Sequence, residues 1–92
     1  MTEDLWGPID GRMLEGIHAV YLEAPLEPMI DWRRAADLAG LGDHPDDELM
    51  ASIVRLANGS YVNAAVYSEG NGRVSFHYVS GPTERGLRAV KA

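Results

Sequence analysis

Apolar residues recur every three to four positions up to about residue 60 and every second position beyond it, a change of period that separates helical from strand-forming stretches. In "IDGRMLEGIHAVYLEAP", Ile9, Met13, Ile17, Val20 and Tyr21 share one helical face, which Leu14 widens. Asp10 or Pro8 stands at its start and Pro25 ends it. In "PMIDWRRAADLAGLG", the Asp31 carboxylate is placed to accept from free amides of a first turn, with Ile30 before it to staple onto Ala35. The spacing predicts a short helix from Trp32 to Leu38, stopped by Gly40, whose alanines let another helix approach while Trp32 covers the core edge. In "GDHPDDELMASIVRLANGS", Leu49, Met50, Ile53, Leu56 and Ala57 line one face, and Asp47, Glu48, Ala51, Ser52, Arg55 and Asn58 the other. Asn58 and Gly59, which tolerate positive φ, are expected to stop it.

Two period-2 runs follow, "YVNAAVYSE" and "RVSFHYV". Val62, Ala64 and Val66 alternate with Tyr61, Asn63 and Tyr67, and Val74, Phe76 and Tyr78 with Arg73, Ser75 and His77, as in a half-buried hairpin. Gly70-Asn71-Gly72 suits its turn. The segment "SGPTERGLRAVKA" predicts a last helix capped by Thr83 or Ser80, with Leu87 and Val90 inward and Arg85, Arg88 and Lys91 outward. The expected fold is α+β: three helices, a two-stranded β-hairpin and a short C-terminal helix in one domain, residues 1–92, of which 1–8 form an N-terminal extension.

This order resembles the winged helix-turn-helix domains of bacteria and phages. The resemblance runs from Gly11 to Ala92 and is carried by "DWRRAADLAGLG", "LMASIVRLANGSYV", the hairpin and "VSGPTERGLRAV". Thr83, Gly86, Leu87 and Val90 match the exit "(I/L)T-x-x-G-L-x-x-(V/L)" of many such domains, and Gly59, Tyr61 and Val62 resemble the Gly-Tyr-(Ile/Val) that leads into the wing. What the resemblance implies is a third helix that enters the DNA major groove by its N-terminal end, with the hairpin as wing.

Composition narrows the options. The chain has no cysteine, hence no disulfide and no thiolate zinc site, and no apolar run of the ~20 residues that span a bilayer. The start "MTEDLWGPIDGR" does not read as a secretory signal, so a cytoplasmic protein is expected. The net charge is −6, distributed unevenly: residues 1–48 hold twelve acids against three arginines, and residues 49–92 two acids against five basic groups. That balance opposes a polyanion as partner.

The stretch "GDHPDDEL" spells two different things. "HPDDE" resembles the signature of zinc-dependent N-acetylglucosaminyl deacetylases, which would make His44 and Asp47 zinc ligands and Asp46 the general base. Here, however, it precedes "LMASIV" instead of a glycine-rich turn, and the only histidine downstream is His77; the match is judged coincidental. As a helix start every letter has a place: Asp43 or His44 as cap, Pro45 at the first helical position, and Asp46, Asp47 and Glu48 in the first turn, where the helix dipole favours anions. His18, with no partner at i+4, reads as a structural or surface histidine and not a ligand.

No catalytic residue, metal ligand or cofactor site is therefore assigned, and a non-enzymatic module is expected. The leading function is a regulatory protein-interaction adaptor presenting Asp43, Asp46, Asp47 and Glu48 to a basic partner surface. The alternative is a DNA-binding regulator of phage repressor type, with Ser52, Arg55, Asn71 and Arg73 as contacts; Arg55 pairing with Glu48 or Asp47 is the bland reading of that residue. Leu5 and Trp6 could serve the domain's own core or a homodimer.

Overall fold

The computed structural model describes residues 7–26, 29–68, 70 and 74–91. Four helices and an antiparallel sheet follow one another as α1 (Asp10–Glu23), α2 (Trp32–Leu38), α3 (Asp46–Asn58), β1 (Val62–Ser68), β2 (Val74–Pro82) and α4 (Glu84–Lys91). The chain is thus α+β. No described helix is long and apolar enough to cross a membrane.

The apolar stripes meet in one core: Met13, Leu14 and Ile17 of α1, Ala35 and Ala36 of α2, Leu49, Ile53 and Leu56 of α3, with Phe76 and Val79 from β2. Each fully buried Leu or Ile contributes ~1.5–3 kcal/mol over its exposed state, so this cluster drives the assembly. Gly16 is what lets α1 and α2 touch, because a Cβ there would collide with the Ala35 carbonyl. Trp32 sits at the core edge, its ring meeting Phe76 edge-on at 5.8 Å.

Helix ends follow local chemistry. Asp31 caps α2, its carboxylate accepting from the amides of Arg33 and Arg34. Gly40, at φ 75°, then turns the chain so that its N–H bonds Asp37 O and the Leu41 N–H bonds Ala36 O, a Schellman closure that buries Leu41. The same closure ends α3, with Tyr61 N–H on Leu56 O and Ser60 N–H on Ala57 O. The left-handed residue there is Ser60 (φ 64°), and Gly59 is at φ −85°, which corrects the expectation that Asn58 and Gly59 supply the positive φ. At the other end of α3, Pro45 takes the cap position itself, one residue before the place expected for it, and its carbonyl accepts from Glu48 and Leu49. Neither Asp43 nor His44 occupies the cap, and the cap makes no side-chain hydrogen bond.

The hairpin differs from strict alternation in two ways. Register shifts between Asn63 and Ala64 and between Ala64 and Val66 reset the phase of β2, so that Val79 is buried and Tyr78 faces out. Val66 is likewise exposed, although Phe76 opposite it on β2 is buried. In addition the sheet is not limited to two strands: Ile30, between α1 and α2, pairs antiparallel with Val79, its N–H 2.7 Å from the Val79 carbonyl. Gly70 has the positive φ the turn demands, whereas Asn71 and Gly72 lie outside the described residues.

Helix α4 closes the domain. Thr83 Oγ1 accepts from the Gly86 N–H and donates to Ser60 O at 2.5 Å, so one hydroxyl caps α4 and ties it to the end of α3. Gly86 lies against the Tyr61 carbonyl with no room for a Cβ. Ala89 and Val90 pack on the core and Leu87 is half-buried. Arg85, expected to point outward, instead bonds Gly59 O and the Tyr61 hydroxyl and lies over the Tyr61 ring, 4.4 Å from its centre.

Candidate partner-binding surface on helix α3

The core-facing stripe of α3 carries one polar residue, Ser52, and that of α1 carries Asp10; both are fully buried. They meet. Ser52 Oγ donates to Asp10 Oδ1 at 2.6 Å, and Arg55 one turn on grips both carboxylate oxygens, Nε to Oδ2 at 2.8 Å and Nη2 to Oδ1 at 2.9 Å. The Gly7 N–H adds a fourth donor at 2.6 Å. Burial pushes the Asp10 carboxyl up, but the bonds from Arg55, Ser52 and Gly7 outweigh it and hold the pKa below the usual carboxylate value. Arg55 is raised in turn by the hydrogen bond to Asp10. The cluster fixes the start of α1 onto the middle of α3.

This overturns the placement of Ser52 on the solvent side of α3. A fully buried hydroxyl already bonded to Asp10 has no access to a nucleic acid. Arg55 pairs with neither Glu48 nor Asp47; its guanidinium is neutralised by Asp10, leaving the side chain 38% exposed. Asn71 and Arg73, the other two candidate contacts, lie outside the described residues, as do Leu5, Trp6 and the His77 side chain.

The four acids proposed for partner binding do gather at the N-terminal end of α3, all exposed. Asp46 Oδ2 pairs with Arg33 Nη2 at 3.0 Å, and Glu48 Oε2 lies 2.9 Å from His44 Nδ1 one turn back. Asp43 and Asp47 form no ion pair among the described residues. The described arginines, in contrast, all have in-chain partners: Arg12 the carbonyls of Ala39 and Gly40, Arg33 Asp46, Arg34 Glu23, Arg55 Asp10, Arg85 Tyr61 and Arg88 Glu84. The Arg34 fork on Glu23 also holds that exposed carboxyl below its usual value.

Beside the acids, a cleft of about 230 Å³ opens between the start of α1 and the outer face of α3, lined by Pro8, Ile9, His44, Glu48, Ala51 and Arg55. His44 reaches Glu48 there, not Asp47, and no three His, Asp or Glu side chains among the described residues come together as a metal site needs. His18 is half-buried on α1.

The Asp10 cluster was missed by the sequence reading, although the signal existed. Asp10 falls in phase with Met13, Leu14 and Ile17, and Ser52 in phase with Leu49, Ile53 and Leu56, so each is a polar residue on an apolar stripe. A comparison of the chain with protein-family models, curated proteins and solved structures finds no match, so its function has to be argued from this geometry.

Proposed function

We propose that the chain is a winged-helix domain acting as a non-catalytic, regulatory protein-interaction adaptor in the cytoplasm, through the acidic N-terminal end of α3. The winged-helix assignment is supported by the element order, by Ile30 joining β2 from between α1 and α2, and by the jobs of Thr83 and Gly86 in the exit motif. The observation that carries the function is the asymmetry of charge around α3: Asp43 and Asp47 stand exposed without ion pairs among the described residues, whereas every described arginine is engaged within the chain. Carboxylates at this end repel phosphates and attract a basic protein surface.

The second reading, a DNA-binding regulator working as a homodimer, draws on one observation. The Arg33–Asp46 and Arg88–Glu84 pairs are exposed on both sides, and exposed pairs of this kind hold together by about 1 kcal/mol or less, so phosphates could compete for those two arginines.

Two titrations separate the readings. With random duplex DNA at low salt the adaptor predicts no binding; micromolar binding that collapses as salt rises would favour the regulator. With protamine as the basic probe, the adaptor predicts salt-sensitive binding that weakens in the variant carrying Asp43→Asn and Asp47→Asn. Protamine binding indifferent to these two substitutions counts against the acidic face.

A further inference from the structure

We propose that the cleft between α1 and α3 seats a single arginine side chain of the partner, so that Pro8, Ile9 and Ala51 hold its aliphatic stem and Glu48 receives its guanidinium. The proposal rests on the adaptor reading and names the chemistry of the contact. At about 230 Å³ the cleft is smaller than the ~300–1,000 Å³ of small-molecule pockets, and suits one side chain better than a free ligand. Its walls are apolar at Pro8, Ile9 and Ala51 and carboxylate at Glu48, which matches a residue whose long apolar stem ends in a planar cation.

The electrostatics favour a cation despite Arg55 in the wall. Asp10 neutralises that guanidinium through a bidentate contact, which leaves Glu48, hydrogen-bonded to His44, as the carboxylate lining the cleft. Asp43, Asp46 and Asp47 at the same end of α3 carry the same sign, and Arg33 offsets only one of them. The positive end of the α3 dipole works the other way, but it amounts to roughly half a charge against several full carboxylates. Glu48, Ala51 and Arg55 stand at i, i+3 and i+7 along one stripe, so the stem would lie along the helix with its charged end toward the N-terminal acids. A guanidinium also makes two parallel bonds to a carboxylate, where the His44 ring makes one.

The test uses the acetylated, amidated pentapeptide GLRLG and its citrulline counterpart, which keeps the shape and loses the charge, titrated at low salt while backbone amide NMR signals are followed. The arginine peptide is expected to shift Glu48, Ala51 and Arg55 and the citrulline peptide to leave them. Glu48→Gln should weaken binding roughly two- to fivefold, the scale of one exposed ion pair. Ala51→Leu, which fills the cleft from an exposed helical position, should abolish it, with Ala51→Met as a second filler if the first disturbs the circular dichroism spectrum. Equal binding of the two peptides, or binding untouched by both fillers, overturns the proposal. If protamine binds and the pentapeptide does not, the arginine cleft alone falls; if neither binds, the acidic face falls with it.

Discussion

Helix α3 contributes one partner to each of two Asp–Arg pairs of nearly the same length, and they do opposite work. Asp10 and Arg55 meet at 2.8 Å with the carboxylate fully buried, while Arg33 and Asp46 meet at 3.0 Å with side chains 68% and 57% exposed. At the first, the carboxylate is shut off from water and met by four donors, while the Arg55 side chain keeps 38% of its surface exposed. Removing a partner there strands the rest in a low-dielectric site. At the second, water screens the charges and replaces either partner readily. Distance alone would rank the two as equals. Burial separates a fixed joint of the fold from a contact that a partner can exchange.

The largest expected effect breaks the buried joint. Asp10→Ala leaves Ser52, Arg55 and the Gly7 amide without their acceptor; a fully buried pair broken from one side costs about 3–5 kcal/mol, and the 38% exposure of Arg55 puts this joint at or below the lower end of that range. Domains of this size hold only ~5–15 kcal/mol in all, so urea denaturation should show a variant near the edge of folding. A midpoint close to that of the unaltered chain would mean that the joint does not anchor α1 to α3.

Acid should reach the same joint more gently. Because the folded Asp10 carboxyl lies below its usual value, its contribution is complete above the unfolded value of ~3.9 and is lost as pH falls through the lower, folded one. Glu23, lowered by Arg34, shifts stability in the same direction, but from the exposed surface, where screening leaves little of it. The gap in urea midpoint between the unaltered chain and Asp10→Asn should therefore be wide at neutral pH and narrow below about pH 4. A gap of constant width across that range would show that the charge on Asp10 does not stabilise the fold.

Much of this architecture can be read from local rules, because the forces involved act within a few residues. Asp31 and Gly40 bracket α2 by capping and by positive φ, and the periodicity of Leu49, Ile53 and Leu56 gives the inner face of α3. What escaped depends on residues far apart in sequence. The partner of Ser52 is 42 residues away, and a serine on α3 looks solvated until Asp10 is placed opposite it. Bulges in the hairpin put Val79 in the core in place of Tyr78, and alternation cannot foretell an extra residue that tertiary packing selects. Ile30 joins the sheet through a single bridge, too short to leave a strand pattern. Of the candidate site, the acidic end of α3 was legible as composition, and the cleft beside it was not, since Pro8 and Ile9 come from another helix's start.

Ser52→Ala sharpens the comparison at intermediate scale. It removes one donor from Asp10 but leaves Arg55 on both oxygens and Gly7 on one, so the carboxylate stays paired. A hydrogen bond to a charged group is worth about 1.5–3 kcal/mol, which puts this variant between Asp10→Ala and any surface change. A loss as large as that of Asp10→Ala would mean that the hydroxyl, and not the guanidinium, carries the joint.

The smallest effect is expected at the exposed pair, and there smallness is the informative result. A double-mutant cycle on Arg33→Ala and Asp46→Ala should give a coupling of about 1 kcal/mol or less at low salt, falling toward zero as the Debye length shrinks to ~3 Å in 1 M salt. Arg33 also lies over the Trp32 ring, 5.0 Å from its centre, so part of any loss in the single variant comes from that contact and cancels in the cycle. A coupling several times larger and insensitive to salt would place this pair in the same class as Asp10 and Arg55. Asp46 would then be committed to the fold and unable to change partners. A weak, screened coupling leaves its carboxylate free to turn toward an incoming cation, which is the property the acidic end of α3 needs if it is to bind a basic protein surface.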